Sequence, residues 1–215
     1  MIRQEIRSII RNALPKIDKT NLWHDAVINA ACEKALAQMY EDVWRISPLN
    51  LQRYVKQYGY TTALAVALEA NTNIYYTTLP ESIIPFQDKS SGVRRISTIA
   101  QGGFTFFPMD VREMDLVAIG CYFNTVNTKI GYAVNQTRIE YYNMNPIVSA
   151  AGVRMDLIIP FSKYDEDDEV KIPEIADMRT GETFFDRVMK ILAGVQPVDI
   201  KDDNAPPEGN GQKDN

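Results

Sequence analysis

The sequence is short of the residues from which most active sites are made. It has one histidine, His24, and two cysteines, Cys32 and Cys121. A Ser-His-Asp or Cys-His catalytic arrangement would have to be assembled around that single imidazole. A tetrahedral zinc site needs about four nitrogen or sulfur ligands, more than these residues supply. Two cysteines so far apart in sequence predict buried free thiols and a chain made in a reducing compartment. Long apolar runs are missing too. The longest, residues 63–68, is far short of the ~20 that a membrane helix needs. The opening residues, Met-Ile-Arg-Gln-Glu-Ile-Arg, alternate charge with apolarity and lack the apolar block of a signal peptide. Synthesis in the cytoplasm, without export or a membrane anchor, is the expectation.

Two further patterns fall short of a known site. The acidic run 165–169 lacks the glycine and alternating ligands of an EF-hand loop, and reads as a solvated turn. Gly102-Gly103 is followed by no Lys-Ser/Thr and opens no helix, so a hairpin turn is expected there rather than a phosphate loop. His24, in the first turn of a long helical stretch, reads as a surface or cap-proximal residue. An acidic group at Asp110, Glu113 and Asp115 could share part of a helix surface, the minimum for a carboxylate-metal nuclease. Many solvated helices carry the same pattern. No cofactor is expected.

What the chain does contain is enough apolar residue, 45% of 215, to bury a substantial core. Its charge is segregated. Residues 1–19 carry +3, residues 165–215 carry −8, and the stretch between is balanced. Such asymmetry marks an interaction surface more readily than a duplex-DNA reader, which concentrates basic residues on one face.

Periodicity predicts helices at both ends. Ile2, Ile6, Ile9 and Ile10 give residues 2–12 an apolar face, while Arg3, Arg7 and Arg11 form a separate stripe. A long helix is expected over 21–46, capped by Thr20 or Asn21. Its stripe is Ile28, Cys32, Ala35, Met39, Val43 and Ile46, widened by Trp23, Val27, Ala30 and Ala31. Ser47-Pro48 ends it. Alternation then predicts strands over 51–58, over 61–69 and 74–78 as a hairpin, over 93–100 and 104–107 as a second hairpin, and over 129–134 and 138–142 as a third. A short helix is expected over 110–119, an alternating strand over 153–159, and a closing helix over 180–192. The fold class is α+β, with the long N-terminal and the C-terminal helix packed on a central antiparallel β region. Residues 1–196 form a single domain in this reading, and residues 197–215, rich in proline, glycine and acid, form a flexible arm.

Two segments suggest joining devices. The Arg3, Arg7, Arg11 stripe is either a solubilising face or a docking face for an acidic neighbouring subunit or for DNA phosphates. In the arm, Val198 and Ile200 could anchor on a neighbour, with Asp199, Asp202 and Asp203 beside them. The alternative there is a frayed terminus.

The order of short phrases carries a resemblance. Asn71-Thr-Asn-Ile-Tyr-Tyr-Thr-Thr-Leu-Pro80 precedes Ile83-Ile-Pro-Phe-Gln and Gly92-Val-Arg-Arg-Ile-Ser97. Phe106-Phe-Pro-Met-Asp, Arg138-Ile-Glu-Tyr-Tyr, the 153–160 strand, Ile172-Pro-Glu and Gln196-Pro-Val-Asp-Ile-Lys-Asp-Asp-Asn204 follow in turn. Over residues 20–204 this order resembles the adaptor, or ring, proteins beneath the portal of short-tailed phages, and among them those of crAss-like phages of Bacteroidales. The N-terminal arginine helix lies outside the likeness. The resemblance implies a twelve-fold homo-oligomeric ring between the portal protein and the next tail component, with DNA passing unread through its lumen. It also implies a place at the head-to-tail junction of the virion. A tail-completion or head decoration protein would share the same composition, and copy number would tell them apart.

Overall fold

The first helix forms because Ile6 and Ile10, one turn apart, both reach full burial in the core. The computed structural model describes residues 1–14, 24–99, 104–110, 113, 129–144, 146–178 and 180–194. Helix α1 spans Arg3–Ala13. Its unpaired N-terminal amides are satisfied from a distance, Arg3 N–H by the Asp168 carbonyl and Gln4 N–H by that of Glu166, each at 3.1 Å. Glu5 accepts the Ile2 N–H at 3.3 Å. Ile2 has no side-chain acceptor, so only that half of a capping box exists.

Helix α2, Asp25–Ile46, is the central beam, about 33 Å long. His24 caps it with extended backbone and an exposed side chain. The helix therefore starts later than the expected residue 21, and the cap is His24 rather than Thr20 or Asn21, which with Trp23 lie outside the described residues. Ile28, Ala31, Cys32, Ala35, Leu36, Met39, Tyr40 and Val43 are buried along α2. Ala30 is exposed, and Ile46, assigned to the apolar stripe from sequence, is 43% exposed at the helix end.

The expected strand over 51–58 is corrected for most of its length. Pro48–Tyr54 is a 3-10 helix, and only Lys56–Tyr58 (β1) is strand. Leu51 and Tyr54 are three apart, so in a three-residue turn they fall on one side and both are buried. The expected strand over 61–69 shrinks to β2 (Ala67–Leu68), which pairs with β3 (Tyr75–Thr78) as the first expected hairpin, with Asn73 at φ 56° in its turn. Strands β6 (Lys129–Asn135) and β7 (Arg138–Tyr142) form another, turning through Gln136 at φ 46°.

The expected hairpin of 93–100 with 104–107 is overturned. Strand β4 (Val93–Thr98) and strand β5 (Thr105–Pro108) belong to different sheets. The first sheet has the order β1-β8-β4, with β8 at Val153–Leu157, and is antiparallel throughout. The second has the order β2-β3-β7-β6-β5, and its last pair, β5 with β6, runs parallel. Val93 and Ile96 bury on the same side as Met155 and Leu157 of β8, and that shared apolar side decides the pairing over closeness in sequence. Phe106 of β5 instead packs edge-on against Tyr141, ring centres 6.0 Å apart. The expected turn at 101–103 and most of the expected helix over 110–119 lie outside the described residues.

Gly152, at φ +78°, starts β8 where a Cβ would sit 2.7 Å from the Leu64 carbonyl. A short helix the sequence did not announce, α3 (Pro146–Ala151), precedes it. The closing helix α4 spans Phe184–Gly194 and starts later than expected. Thr183 and Asp186 cap it reciprocally, Asp186 N–H to Thr183 Oγ1 and Thr183 N–H to Asp186 Oδ2. One continuous buried cluster runs from Ile6 to Leu192 and takes in the four described helices and both described sheets, an α+β architecture. No described helix is long and apolar enough to cross a membrane.

Candidate interaction surface

The arginine stripe meets an acidic surface, and that surface belongs to the same chain. Arg3 donates from Nη1 to the Tyr164 carbonyl at 2.8 Å and sits 5.5 Å from the centre of the Phe161 ring. Arg7 bridges Glu166 and Asp25, each at 2.6 Å, and Arg11 pairs with the other oxygen of Asp25. The Arg3 and Arg7 side chains are only 14% and 18% exposed. Backbone contacts reinforce the clasp. Val170 N–H donates to the Met1 carbonyl at 2.9 Å, and Ile2 bridges Glu169. The 165–169 loop is the solvated turn expected, with four of its five residues exposed, and these contacts also hold it in place.

On its other side the loop is tied by Lys56 to Asp168 and by Lys171 to Glu169, each at 2.5 Å. Burial by itself would raise the Asp168 pKa. The bonds from Lys56 and from the Asp165 N–H outweigh it and hold the carboxyl below its ordinary value. A depressed carboxyl stabilises the fold above its unfolded pKa, and that stability is lost as pH falls through the lower folded value. Lys56→Met is therefore expected to cost about 1 kcal/mol at pH 7, a part-exposed pair being worth little more. The deficit should shrink as pH drops below about 3.9, the ordinary aspartate value. Urea midpoints across that range check this. A deficit that persists in acid would mean Lys56 acts through its packed stem and its ammonium over the Tyr58 and Tyr164 rings rather than through Asp168.

Beyond this loop the surface opens into a groove of about 670 Å³, lined by Tyr54, Ile172, Pro173, Ile175, Phe184 and Phe185 among others. Tyr54 forms part of its wall. Its hydroxyl donates to Asp177 at 2.5 Å and accepts the Glu174 N–H at 3.1 Å. Burial, then the bond to Asp177, pushes the Tyr54 phenol up, so it stays neutral. Asn50 and Arg53 also reach Asp177, at 3.4 and 3.5 Å, fastening the 3-10 helix to the turn Ile175–Asp177. Both turns present apolar side chains to solvent, Leu49 at 73% and Ile175 at 47% exposure. A second groove, of about 430 Å³, shares Arg53, Glu169 and Lys171 with the first and adds Gln52, Lys56 and Gln57. An apolar trough thus continues into a polar one carrying three cations and two carboxylates, with Lys56 paired to Asp168 and Lys171 to Glu169. Of the cations, Arg53 is 67% exposed and only loosely paired.

Val198, Asp199, Ile200, Asp202 and Asp203 lie outside the described residues, as do Cys121 and Asp115. Cys32 is a buried free thiol, pushed up to about 12 chiefly by burial, which leaves it a poor nucleophile. The Glu113 carboxylate is bonded to Lys89 at 2.5 Å and to the Asp110 N–H at 3.0 Å. Among the described residues no cluster of three or more His, Cys, Asp or Glu could hold a metal ion. Sequence reasoning missed Arg53, Lys56 and Lys171. The one available signal was that apolar Ile172-Pro173 and Ile175 follow a charged run without joining any periodic element. The sequence matches no protein-family model and no curated protein.

Proposed function

We propose that this chain is a non-enzymatic structural subunit of a bacteriophage head-to-tail connector, assembled as a ring below the portal through which DNA passes. The observation that carries the proposal is the open apolar groove continuing into a polar one, with the exposed Arg53 on both, a surface suited to an extended polypeptide rather than to a reacting small molecule. The resemblance in phrase order over 20–204 supplies the family and the ring. The helices would form the packed wall of that ring and the sheets would face the next tail component. The net charge of −5 suits DNA passage, since few phosphate contacts would retard it. The joining surfaces are then the groove and the residues Val198, Asp199, Ile200, Asp202 and Asp203. Arg3 and Arg7 fall away from that role because their guanidiniums are already held inside the chain. In this reading the protein is made in the host cytoplasm and ends at the head-to-tail junction of the virion.

Sedimentation of the purified chain with and without portal tests the proposal. The expected result is a monomer or weak oligomer alone and a closed ring on the portal. A stable closed dimer under both conditions would count against it. Copy number in the particle separates one ring from the hundreds of copies of a decoration protein. Deleting residues 197–215 is expected to leave the circular dichroism spectrum and Tm unchanged while abolishing ring formation. Loss of folding on that deletion would place the segment in the core instead.

A further inference from the structure

We infer that the groove lined by Ile172, Ile175, Phe184 and Phe185 receives residues 195–203 of an adjacent copy of this chain. The inference rests on the reading that the protein assembles with itself, and it names the surface and the segment that do the joining.

The order of chemistry in the segment follows the order of chemistry in the surface. Val195, Val198 and Ile200 come first, with Asp199 between the last two, and Lys201, Asp202 and Asp203 come next. The apolar groove comes first and a polar groove adjoins it, in which Asp168 and Glu169 hold Lys56 and Lys171 and Arg53 is the loosely paired cation. In an extended peptide Val198 and Ile200 face one side, two residues apart, and can enter the apolar trough together. Asp202 and Asp203 then extend to Arg53, the more exposed and more loosely paired of the two cations shared by both grooves. Pro197 restricts its own φ and biases Gln196 toward extended backbone, which lowers the entropy lost on docking.

Geometry favours a neighbouring copy over the chain's own segment. Phe184 and Phe185 line the groove from the first turn of α4, whereas Gly194 ends that helix about 15 Å away. The chain therefore leaves α4 at the end remote from the groove. Returning along the helix would use about five extended residues, at roughly 3.3 Å each. That would consume Val195 and Val198 in transit and bring mostly polar residues to an apolar trough. A copy rotated about a ring axis meets no such constraint, and a head-to-tail contact of this kind is what closes a ring.

The test titrates a fluorescent peptide of residues 195–215 into the full-length chain and follows anisotropy. Binding is expected, weakened at least about tenfold by Ile175→Asp in the chain or by Val198→Asp with Ile200→Asp in the peptide. Ile147→Asp, at an isoleucine 66% exposed on α3, should leave affinity within about twofold. No binding, or binding that Ile175→Asp leaves unchanged, overturns the inference. A second arm addresses the copy. In a Cys121→Ser background, a chain carrying Ile175→Cys and Ile200→Cys is treated with a short bismaleimide. A ladder of multimers is expected, and a cross-linked monomer as the main product would overturn the inference. Absence of the chain from a portal vertex would sink the connector reading and leave these binding results standing.

Discussion

Ile10→Ala is expected to lower the unfolding free energy by about 3 kcal/mol, and Arg11→Ala by less than about 1 kcal/mol, although the two residues are adjacent. The Ile10 side chain is fully buried, so its truncation loses transfer energy and leaves a cavity. The Arg11 side chain is half-exposed and shares Asp25 with Arg7, so its loss leaves that carboxylate still paired. For a chain of this size a 3 kcal/mol loss corresponds to a fall in Tm of roughly 10 °C. Arg3→Ala should fall between the two, because Arg3 loses the Tyr164 carbonyl bond and its packing over Phe161. Thermal denaturation of the three variants checks the order. A neutral Ile10→Ala would mean that α1 is not part of this core and would return the arginine stripe to the role of a free docking face.

Much of the architecture was legible wherever one apolar face decides it. The α2 stripe from Ile28 to Val43, the alternation of β8 and the β6–β7 hairpin all follow from side chains that must be buried against a single core. Failure came where two placements satisfied the same local pattern. Leu51 and Tyr54 fit an alternating strand on paper, yet a three-residue turn buries both after Pro48. Strands β4 and β5 are separated by a glycine turn signal, yet their apolar sides match different partners, β8 and β6. The candidate surface was less legible still. The +3 and −8 termini were apparent, but net charge does not say whether opposite charges meet within a chain or between chains. Glu166, Asp168 and Asp25 answer that for Arg3, Arg7 and Lys56. Nor does a sequence announce a groove, because the exposure of Ile175 depends on how a 3-10 turn is fastened to its neighbour by Asp177.

Arg187→Met is expected to cost about 3 kcal/mol, and Asp42→Leu combined with Arg187→Met to recover most of that loss. Arg187 is 7% exposed on α4 and donates to Asp42 of α2 at 2.5 Å and to Thr180. Removing the cation alone strands the Asp42 carboxylate in a site only 24% exposed. Removing both charges replaces a desolvated pair with packed apolar atoms, often close to neutral in such sites. The coupling from a double-mutant cycle in urea should therefore be about 2 kcal/mol, and strictly additive costs would show that the pair does not join the two helices. The joint matters beyond stability, because α4 is the stem from which residues 195–215 issue. In Arg187→Met a loosened stem should present that segment over a wider range of directions, and assembly should fall with stability. The double variant, with the helix packed again on α2, should regain both. Recovery of stability without recovery of assembly would mean that Arg187 itself faces a partner, and that the joining surface extends onto α4.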